Sequence, residues 1–416
     1  MKILIVSVNY WPEVTGIGAF TTYRAEHLAS VGHEVTVCTT YPYYPEWKVR
    51  DEYKGKIWYK EIRNRVEVIR TWAYIPSAVK SISRIFHEVS FSLSVLFRLL
   101  FRCKPDVMLV VSPPLGLAIV AIILSKIWNT PFIFDVEDLQ PDSASDLSML
   151  PKWLVRILYR IENAAYANAE LISTITRGMR EKIQKKGDWK EKVVLFEPRL
   201  DPSLLGVSEF DAWLFREKYS MLGKFIVTHS GNMGVKQALT TIIEAAGLME
   251  EYKDILFLIV GDGAMKEKVQ KQAASLSNIL FLPLLDSTDY KGLLAASGVC
   301  LVTQQKAVSE IAFPSKVVSY LSAGCPVISS ANELSEVALT VSESGAGYVV
   351  PAEDAPLLAK AILEIKKADR KELADNARLY ACQRWNEDRV LSYIEKCLVW
   401  ASEKSTLCNL QEDDTR

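Results

Sequence analysis

The sequence predicts an α/β protein made of two Rossmann-like, doubly wound halves. Three observations carry this: Val- and Ile-rich strands alternate with helical patterns, the alternation restarts after residue 220, and a proline-marked break separates the two runs. Length agrees, because 416 residues with 49% apolar content exceed what a single core normally holds.

In the first half, Ile3–Val8 reads as a strand, a helix follows near Phe20–Val31, and Val35–Thr39, Val107–Val111 and Phe132–Val136 read as further strands. These runs are apolar nearly throughout, as expected of parallel strands covered on both faces. Leu115–Ile127 follows Pro113-Pro114 and is too short to span a bilayer, so a buried helix is expected and no transmembrane segment. Ile82–Lys104 is amphipathic, with phenylalanines and arginines interleaved. It predicts a helix packed mostly on its sheet, with some Phe and Arg positions turned toward lipid.

Phe196-Glu197-Pro198-Arg199-Leu200-Asp201-Pro202 suits a linker, because its two prolines lack N–H donors. Beyond it, Phe225–Thr228, Ile255–Val260, Ile279–Leu282, Val299–Thr303 and Val327–Ile328 read as strands. Helices are expected near Ala238–Met249, Met265–Ala274, Tyr290–Ala296, Lys316–Ser322 and Asp388–Trp400, then a polar, disordered tail containing Gln411-Glu412-Asp413-Asp414.

Composition narrows the function. With 49 basic against 50 acidic residues no global field draws a polyanion, so nucleic acid is not an expected partner. Seven cysteines without CxxC spacing fit reduced thiols in a cytosol, and four histidines without metal-ligand spacing argue against a zinc enzyme. The N-terminal apolar run is broken by Asn9, Pro12 and Glu13, which favours a buried first strand over a signal peptide. No metal and no cofactor are expected.

Several segments can carry chemistry. In Asn9-Tyr10-Trp11-Pro12-Glu13-Val14-Thr15-Gly16-Ile17-Gly18, two glycines precede a helix, either as a tight turn or as an anion site built from open amides. The spacing is not GxGxxG, which speaks against NAD. In Thr228-His229-Ser230-Gly231-Asn232-Met233-Gly234-Val235-Lys236-Gln237, a strand ends in glycines with a cation beyond. Its amides and Lys236 suit a diphosphate leaving group; a glycine-rich turn with a surface lysine is the plainer alternative. Gly261-Asp262-Gly263 ends another strand where open α/β sheets bind ligands. In Glu310-Ile311-Ala312-Phe313-Pro314-Ser315-Lys316, the last two residues fall at a helix start, placing a hydroxyl and an ammonium for the same phosphates. Asp135-Val136-Glu137-Asp138-Leu139-Gln140-Pro141-Asp142 gathers four carboxylates behind a buried strand, fit to bind sugar hydroxyls, act as a base or hold a divalent cation.

Together with Pro42-Tyr43-Tyr44-Pro45-Glu46-Trp47, these segments resemble the retaining glycosyltransferases of family 4, which have the GT-B fold. Within that family the chain is most similar to colanic-acid-type fucosyltransferases and related O-antigen and capsule enzymes, over nearly its whole length. The resemblance implies two Rossmann-like domains facing each other across a cleft: residues 1–198 as the acceptor-binding domain, joined by a helix at about 385–402, residues 199–384 as the nucleotide-sugar-binding domain, and 403–416 as the tail. It implies transfer of fucose or a related deoxy or amino sugar from a GDP- or UDP-linked donor to a lipid-diphosphate-linked saccharide. The setting would be cytoplasmic, peripheral to the inner face of the cell membrane.

By the same likeness, Gly16, Ile17 and Gly18 approach the donor phosphates from one half, and Gly231, Asn232, Lys236, Phe313, Pro314, Ser315 and Lys316 from the other. Gly261, Asp262, Gly263 and Leu284 lie near the base. Asp135 falls where many relatives have a histidine beside the reacting sugar, and Asp138 is its acidic neighbour. Two glutamates eight apart are usual in the family; here Glu310 is one position off the first, and Ser319 stands at the second, ribose-binding position. Two other readings accompany this one: a GT-B nucleotide-sugar 2-epimerase, and a non-catalytic nucleotide-binding component of a polysaccharide assembly complex, whose only support is the altered glutamate pair.

Overall fold

A computed structural model of the chain describes residues 1–13, 16–44, 46–77, 81–146, 150–307 and 315–403. The polar tail expected after the last helix lies outside these residues. The chain divides into two compact units, Met1–Glu197 with the residues from Asp388 onward, and Pro198–Glu387.

The first unit is built on eight strands: β1 Lys2–Val6, β2 Glu34–Thr40, β3 Trp58–Arg63, β4 Val66–Thr71, β5 Val107–Ser112, β6 Phe132–Val136, β7 Leu171–Thr174 and β8 Val193–Leu195. Their order is β3-β4-β2-β1-β5-β6-β7-β8. All neighbours are parallel except β3 and β4, an antiparallel hairpin absent from the expected pattern. It turns through Asn64 and Arg65 at φ 45° and 66°, a two-residue turn lacking the usual glycine signal.

Because side chains alternate across a parallel strand, each face of this sheet needs its own cover. On one face Ile3, Ile5, Val35, Val37, Val107 and Leu109 bury against the helices Ile17–Ser30 and Glu387–Glu403. Thus the last helix returns to the first unit, bringing Val390, Leu391, Ile394 and Leu398 into its core. The helices Ser81–Leu99, Gly116–Trp128 and Lys152–Asn168 lie side by side over the other face. The run Leu115–Ile127, expected to be a buried helix, buries one side, with Leu115, Leu117, Ala118, Val120, Ala121 and Leu124, while Ile119 and Ile127 face outward. Among the described residues no helix is long and apolar enough to cross a membrane.

The second unit has six parallel strands: β9 Phe225–Asn232, β10 Ile255–Asp262, β11 Ile279–Leu282, β12 Ser297–Thr303, β13 Val327–Ser330 and β14 Gly347–Val350. The order is β11-β10-β9-β12-β13-β14. Helices Leu239–Leu248 and Ala355–Lys367 cover one face, and Lys316–Ser322, Glu336–Ser344 and Arg370–Arg384 cover the other. From β9 the chain first builds outward through β10 and β11, then crosses back to β12. Ligands of doubly wound sheets bind at the carboxyl ends of the strands where the order reverses. That point lies between β9 and β12 here, and between β1 and β5 in the first unit.

Candidate functional site

At the carboxyl end of β9, glycine is a steric requirement. Gly231 and Gly261 pair across β9 and β10, and a Cβ on Gly261 would stand 2.0 Å from the Gly231 carbonyl oxygen. Gly261 also has φ +137°, which L side chains rarely adopt. A Cβ on Gly263 would meet Asn232 Oδ1 at 2.6 Å, and the Met233 amide donates to the Asp262 carbonyl at 2.7 Å. The two strand ends therefore form one tight surface with backbone exposed. Asp262 spends its carboxylate on the Gly263 amide at 2.7 Å and on Lys266 at 3.0 Å, which lowers its pKa.

Lys316 begins the helix after β12 and lies along this surface. Its Cε and Nζ sit 3.7 and 3.8 Å from where a Gly231 Cβ would be, so the side chain rests on bare backbone. Tyr320, one turn later, fixes the helix to β9: its hydroxyl accepts the Ser230 amide at 2.9 Å. Lys316 Nζ is 3.2 Å from His229 Nε2. His229 is fully buried, and burial, reinforced by the lysine's charge, holds its pKa well below the usual imidazole value. The ring is therefore neutral, and accepting from the lysine at Nε2 puts its proton on Nδ1, which has no partner among the described residues. Burial brings the Lys316 ammonium down to about 7. A lysine in this state gains charge when an anion arrives.

Lys236 stands in the short turn Val235–Gln237 that follows β9. Its carbonyl accepts the Gln305 amide at 3.0 Å, and Thr303 donates its hydroxyl to the Gln237 carbonyl, tying this turn to the end of β12. The elements bearing Gly231, Asn232, Lys236 and Lys316 thus converge on one switch point. Ser315 precedes the helix without a side-chain capping bond, and Ser319 is half-buried and bonded to Tyr290. Leu284 is exposed just beyond the edge strand β11, which lies two strands from β9 in the sheet. Glu310, Phe313 and Pro314 lie outside the described residues.

In the first unit the loop after β1 reaches the other switch point. Gly16, with φ 56°, precedes the helix Ile17–Ser30, whose first turn has no side-chain cap and no acidic residue among the described residues, an arrangement suited to an anion. A Cβ on Gly18 would strike the Glu13 carbonyl oxygen at 2.5 Å. Ile17 is partly buried against the core. Glu13, not expected as a site residue, is the organiser: Oε1 accepts the amides of Tyr43 and Tyr44 at 2.8 and 2.7 Å, and Oε2 accepts from Asn9 at 2.8 Å. The two aromatic motifs noted in the sequence are thereby joined. Tyr43 in turn donates its hydroxyl to His87 Nε2 at 3.0 Å, and His87 Nδ1 donates to the Tyr74 carbonyl at 2.7 Å.

The four clustered carboxylates separate into different roles. Asp135, expected beside the reacting sugar, is fully buried: Arg24 donates to it at 2.5 Å and Ser173 at 2.8 Å. Glu137 is buried against the same guanidinium at 3.0 Å, and burial pushes its carboxyl well above the usual range. One cation thus serves two carboxylates, and Asp135 is a buried ion-pair partner rather than a group open to substrate. Asp142 pairs with Lys186, which also holds Glu162. Asp138 is partly exposed and accepts from Ser143 at 2.9 Å. Arg24 gave a weak sequence signal, an arginine in helical register with Thr21, Ala25 and Leu28 on the buried face of its helix.

Comparison with known proteins places this geometry. A glycosyl transferase 4-like domain matches residues 15–198, and a glycosyl transferases group 1 domain matches residues 224–367. The putative colanic acid biosynthesis glycosyl transferase WcaI of Escherichia coli (strain K12) is 32% identical over 348 residues, covering 81% of this chain and 85% of that protein. The probable glycosyltransferase WbjE of Pseudomonas aeruginosa is 26% identical over 337 residues, covering 77% and 80%. Among solved structures, sucrose-phosphate synthase of Thermosynechococcus elongatus superposes with a TM-score of 0.76 at 17% identity, covering 97% of this chain and 99% of that one. The glycosyltransferase WaaG, involved in lipopolysaccharide biosynthesis, gives a TM-score of 0.71 at 17% identity, covering 95% and 99%. Anabaena HepE in complex with UDP-glucose gives 0.70 at 17%, covering 96% and 99%. The structures share the fold, the sequence relatives share the family, and the chain belongs to the family 4 glycosyltransferases, transferase enzymes with the GT-B fold.

Proposed function

We propose that the chain is a retaining glycosyltransferase that moves fucose, or a related deoxy or amino sugar, from a nucleoside diphosphate donor to a lipid-diphosphate-linked saccharide in bacterial exopolysaccharide, capsule or O-antigen synthesis. The observation that carries this reading is the lysine at the second switch point, with Lys316 lying on glycine backbone against a neutral His229. Such a site neutralises charge that develops on a departing diphosphate, and stabilising charge in this way usually contributes most to an enzyme's rate. Lys236 adds a second cation from the loop tied to the end of β12. Gly231, Asn232 and Ser315 supply backbone and side-chain donors around the same point, and Gly261 to Gly263 with Leu284 flank the base. Ser319, held by Tyr290, takes the ribose-facing position.

The second unit is then the donor domain and the first the acceptor domain, with the amides at Gly16, Ile17 and Gly18 as its phosphate contact. The acceptor hydroxyl attacks from the face the nucleotide leaves, which retains the anomeric configuration. Asp138, partly exposed and bonded to Ser143, orients acceptor or sugar hydroxyls, and Asp135 supports the loop through Arg24. The enzyme acts at the cytoplasmic face of the inner membrane. The relative named for colanic acid biosynthesis supports the polysaccharide setting, and the HepE complex with UDP-glucose supports a sugar nucleotide as donor.

The test is transfer by purified protein from labelled GDP- and UDP-sugars to a lipid-diphosphate-linked saccharide, resolved by mass. Lys236→Ala and Lys316→Ala should each cut turnover by about 100-fold or more, the usual loss when a transition-state donor is removed. Near-normal turnover in both variants contradicts the proposal, and conversion of the donor without acceptor returns the epimerase reading.

A further inference from the structure

Three cations that the fold largely encloses are held by carboxylates: Arg24 by Asp135 and Glu137, Arg70 by Glu61, and Lys186 by Asp142 and Glu162. Lys316 is held differently. Among the described residues no carboxylate lies within ion-pair distance of it, and its nitrogen meets the His229 ring instead, Nζ to Nε2 at 3.2 Å.

The ring does nothing else with its polar atoms. His229 is fully buried, the bond to Lys316 is its one side-chain hydrogen bond among the described residues, and Nδ1 is enclosed there without a partner. Folds rarely bury a polar atom they leave unsatisfied, so a histidine here is explained by what Nε2 holds. The geometry around the pair is fixed from both sides: the Ser230 amide donates to the Tyr320 hydroxyl at 2.9 Å, which sets the start of the lysine's helix against β9. Lys316 is partly exposed, and its Cε and Nζ lie along the bare backbone of Gly231, so a ligand can reach the amine.

The titratable groups facing the pair carry no charge near neutrality. Burial pushes the Cys300 thiol of β12, beside Cys325, and the Tyr320 phenol well above their usual values, and raises Tyr290, from the helix Ser287–Ala296, to about 12. A carboxylate beside an ammonium neutralises it and competes with an incoming anion. A neutral imidazole fixes the amine through a lone pair and does neither.

We propose that His229 is a positioning residue: its neutral Nε2 holds the Lys316 amine over the Gly231 backbone and, unlike a carboxylate, leaves the lysine's charge for the donor diphosphate. The inference rests on the donor-site reading of Lys316 and deepens it by naming the group that aims the lysine.

The test is calorimetric binding of the full chain to GDP-fucose, GDP-mannose, UDP-N-acetylfucosamine and UDP-N-acetylglucosamine across neutral pH, repeated in His229→Gln, His229→Glu and His229→Met with the donor that the unaltered chain binds. Urea melts accompany each variant. His229→Gln keeps a neutral acceptor near the Nε2 position and should retain both the affinity and its decline with rising pH. His229→Glu keeps Lys316 charged throughout, so the pH slope and the proton uptake should vanish, and affinity at the acid end should fall by about tenfold, as when one charged hydrogen bond is lost. His229→Met fills the space without an acceptor and removes the unpartnered nitrogen; it should weaken binding by about tenfold while the urea midpoint is no lower. An undiminished pH slope in His229→Glu overturns the proposal, as does full affinity in His229→Met or a lowered midpoint that accounts for its lost binding. If His229→Glu does not fold, the Gln and Met variants decide. Weak binding in Lys316→Ala beside full binding in His229→Met rejects only the positioning role, whereas full binding in Lys316→Ala, or none of the four donors bound, rejects the donor-site reading itself.

Discussion

Above about pH 7, Lys316 meets an anion as a group that must first gain a proton. Its free-state value near 7 sets the sign of the pH dependence. Below 7 the ammonium is already charged and donor binding is strongest; above 7 the complex takes up a proton and affinity falls as pH rises, by up to about tenfold per unit. A sugar nucleotide has no group titrating in this range, so the slope belongs to the protein. Calorimetry between about pH 6.5 and 8.5 should show this loss of affinity with proton uptake, and Lys316→Met should bind weakly with no slope. The lysine itself was legible in the sequence from its place at a helix start after a strand. Its partner was not, because nothing in Thr228-His229-Ser230 shows that the ring is buried or which side chain it faces. The carboxylate cluster was legible as buried in part, since Val136 and Leu139 interrupt it. What could not be read was Arg24, over a hundred residues earlier, which takes Asp135 out of reach of substrate.

Elements were legible where the hydrophobic period was long and failed where a turn lacked its usual residue. Strands β1, β2, β5, β6, β9, β10 and β12 follow from apolar runs, whereas the hairpin of β3 and β4 turns on Asn64-Arg65 without glycine and its outer strand is mostly exposed. The glycines at strand ends were visible, but not what each one meets. Gly261 faces the Gly231 carbonyl at a separation no Cβ tolerates. Gly261→Ala should therefore destabilise the chain by about 3 kcal/mol or more, from backbone strain plus displacement of the β9 end. A urea melt with donor binding measured alongside checks this; an unchanged midpoint would show that the strand ends separate freely. By contrast, Gly16 has open space about its Cα, so its cost under substitution comes from φ alone.

At the scale of the molecule, the chain order carries a dependence that the domain matches do not reveal. Those matches end at residue 367, yet Glu387–Glu403 fills the core of the first unit. Burying Val390, Leu391, Ile394 and Leu398 is worth about 1.5–3 kcal/mol each, together comparable with the whole stability of a domain. A chain ending at Asn386 should lose hydrogen-exchange protection in β1 and β5 while keeping it in β9 and β10. Equal protection in both would mean the helix is an accessory. The two-fold repeat of α/β alternation made the architecture legible, because its period survives substitution of nearly every surface residue. The donor sugar was not legible, since a few pocket contacts decide it.

Binding of a sugar nucleotide by the second unit through Lys316 is tested most directly by thermal unfolding with GDP-fucose, GDP-mannose, UDP-N-acetylfucosamine and UDP-N-acetylglucosamine. One donor at about 100 times its dissociation constant should stabilise the folded chain by about 2.7 kcal/mol, and Lys316→Ala should remove most of that shift at the same concentration. Stabilisation by none of the four, or an undiminished shift in Lys316→Ala, would contradict it.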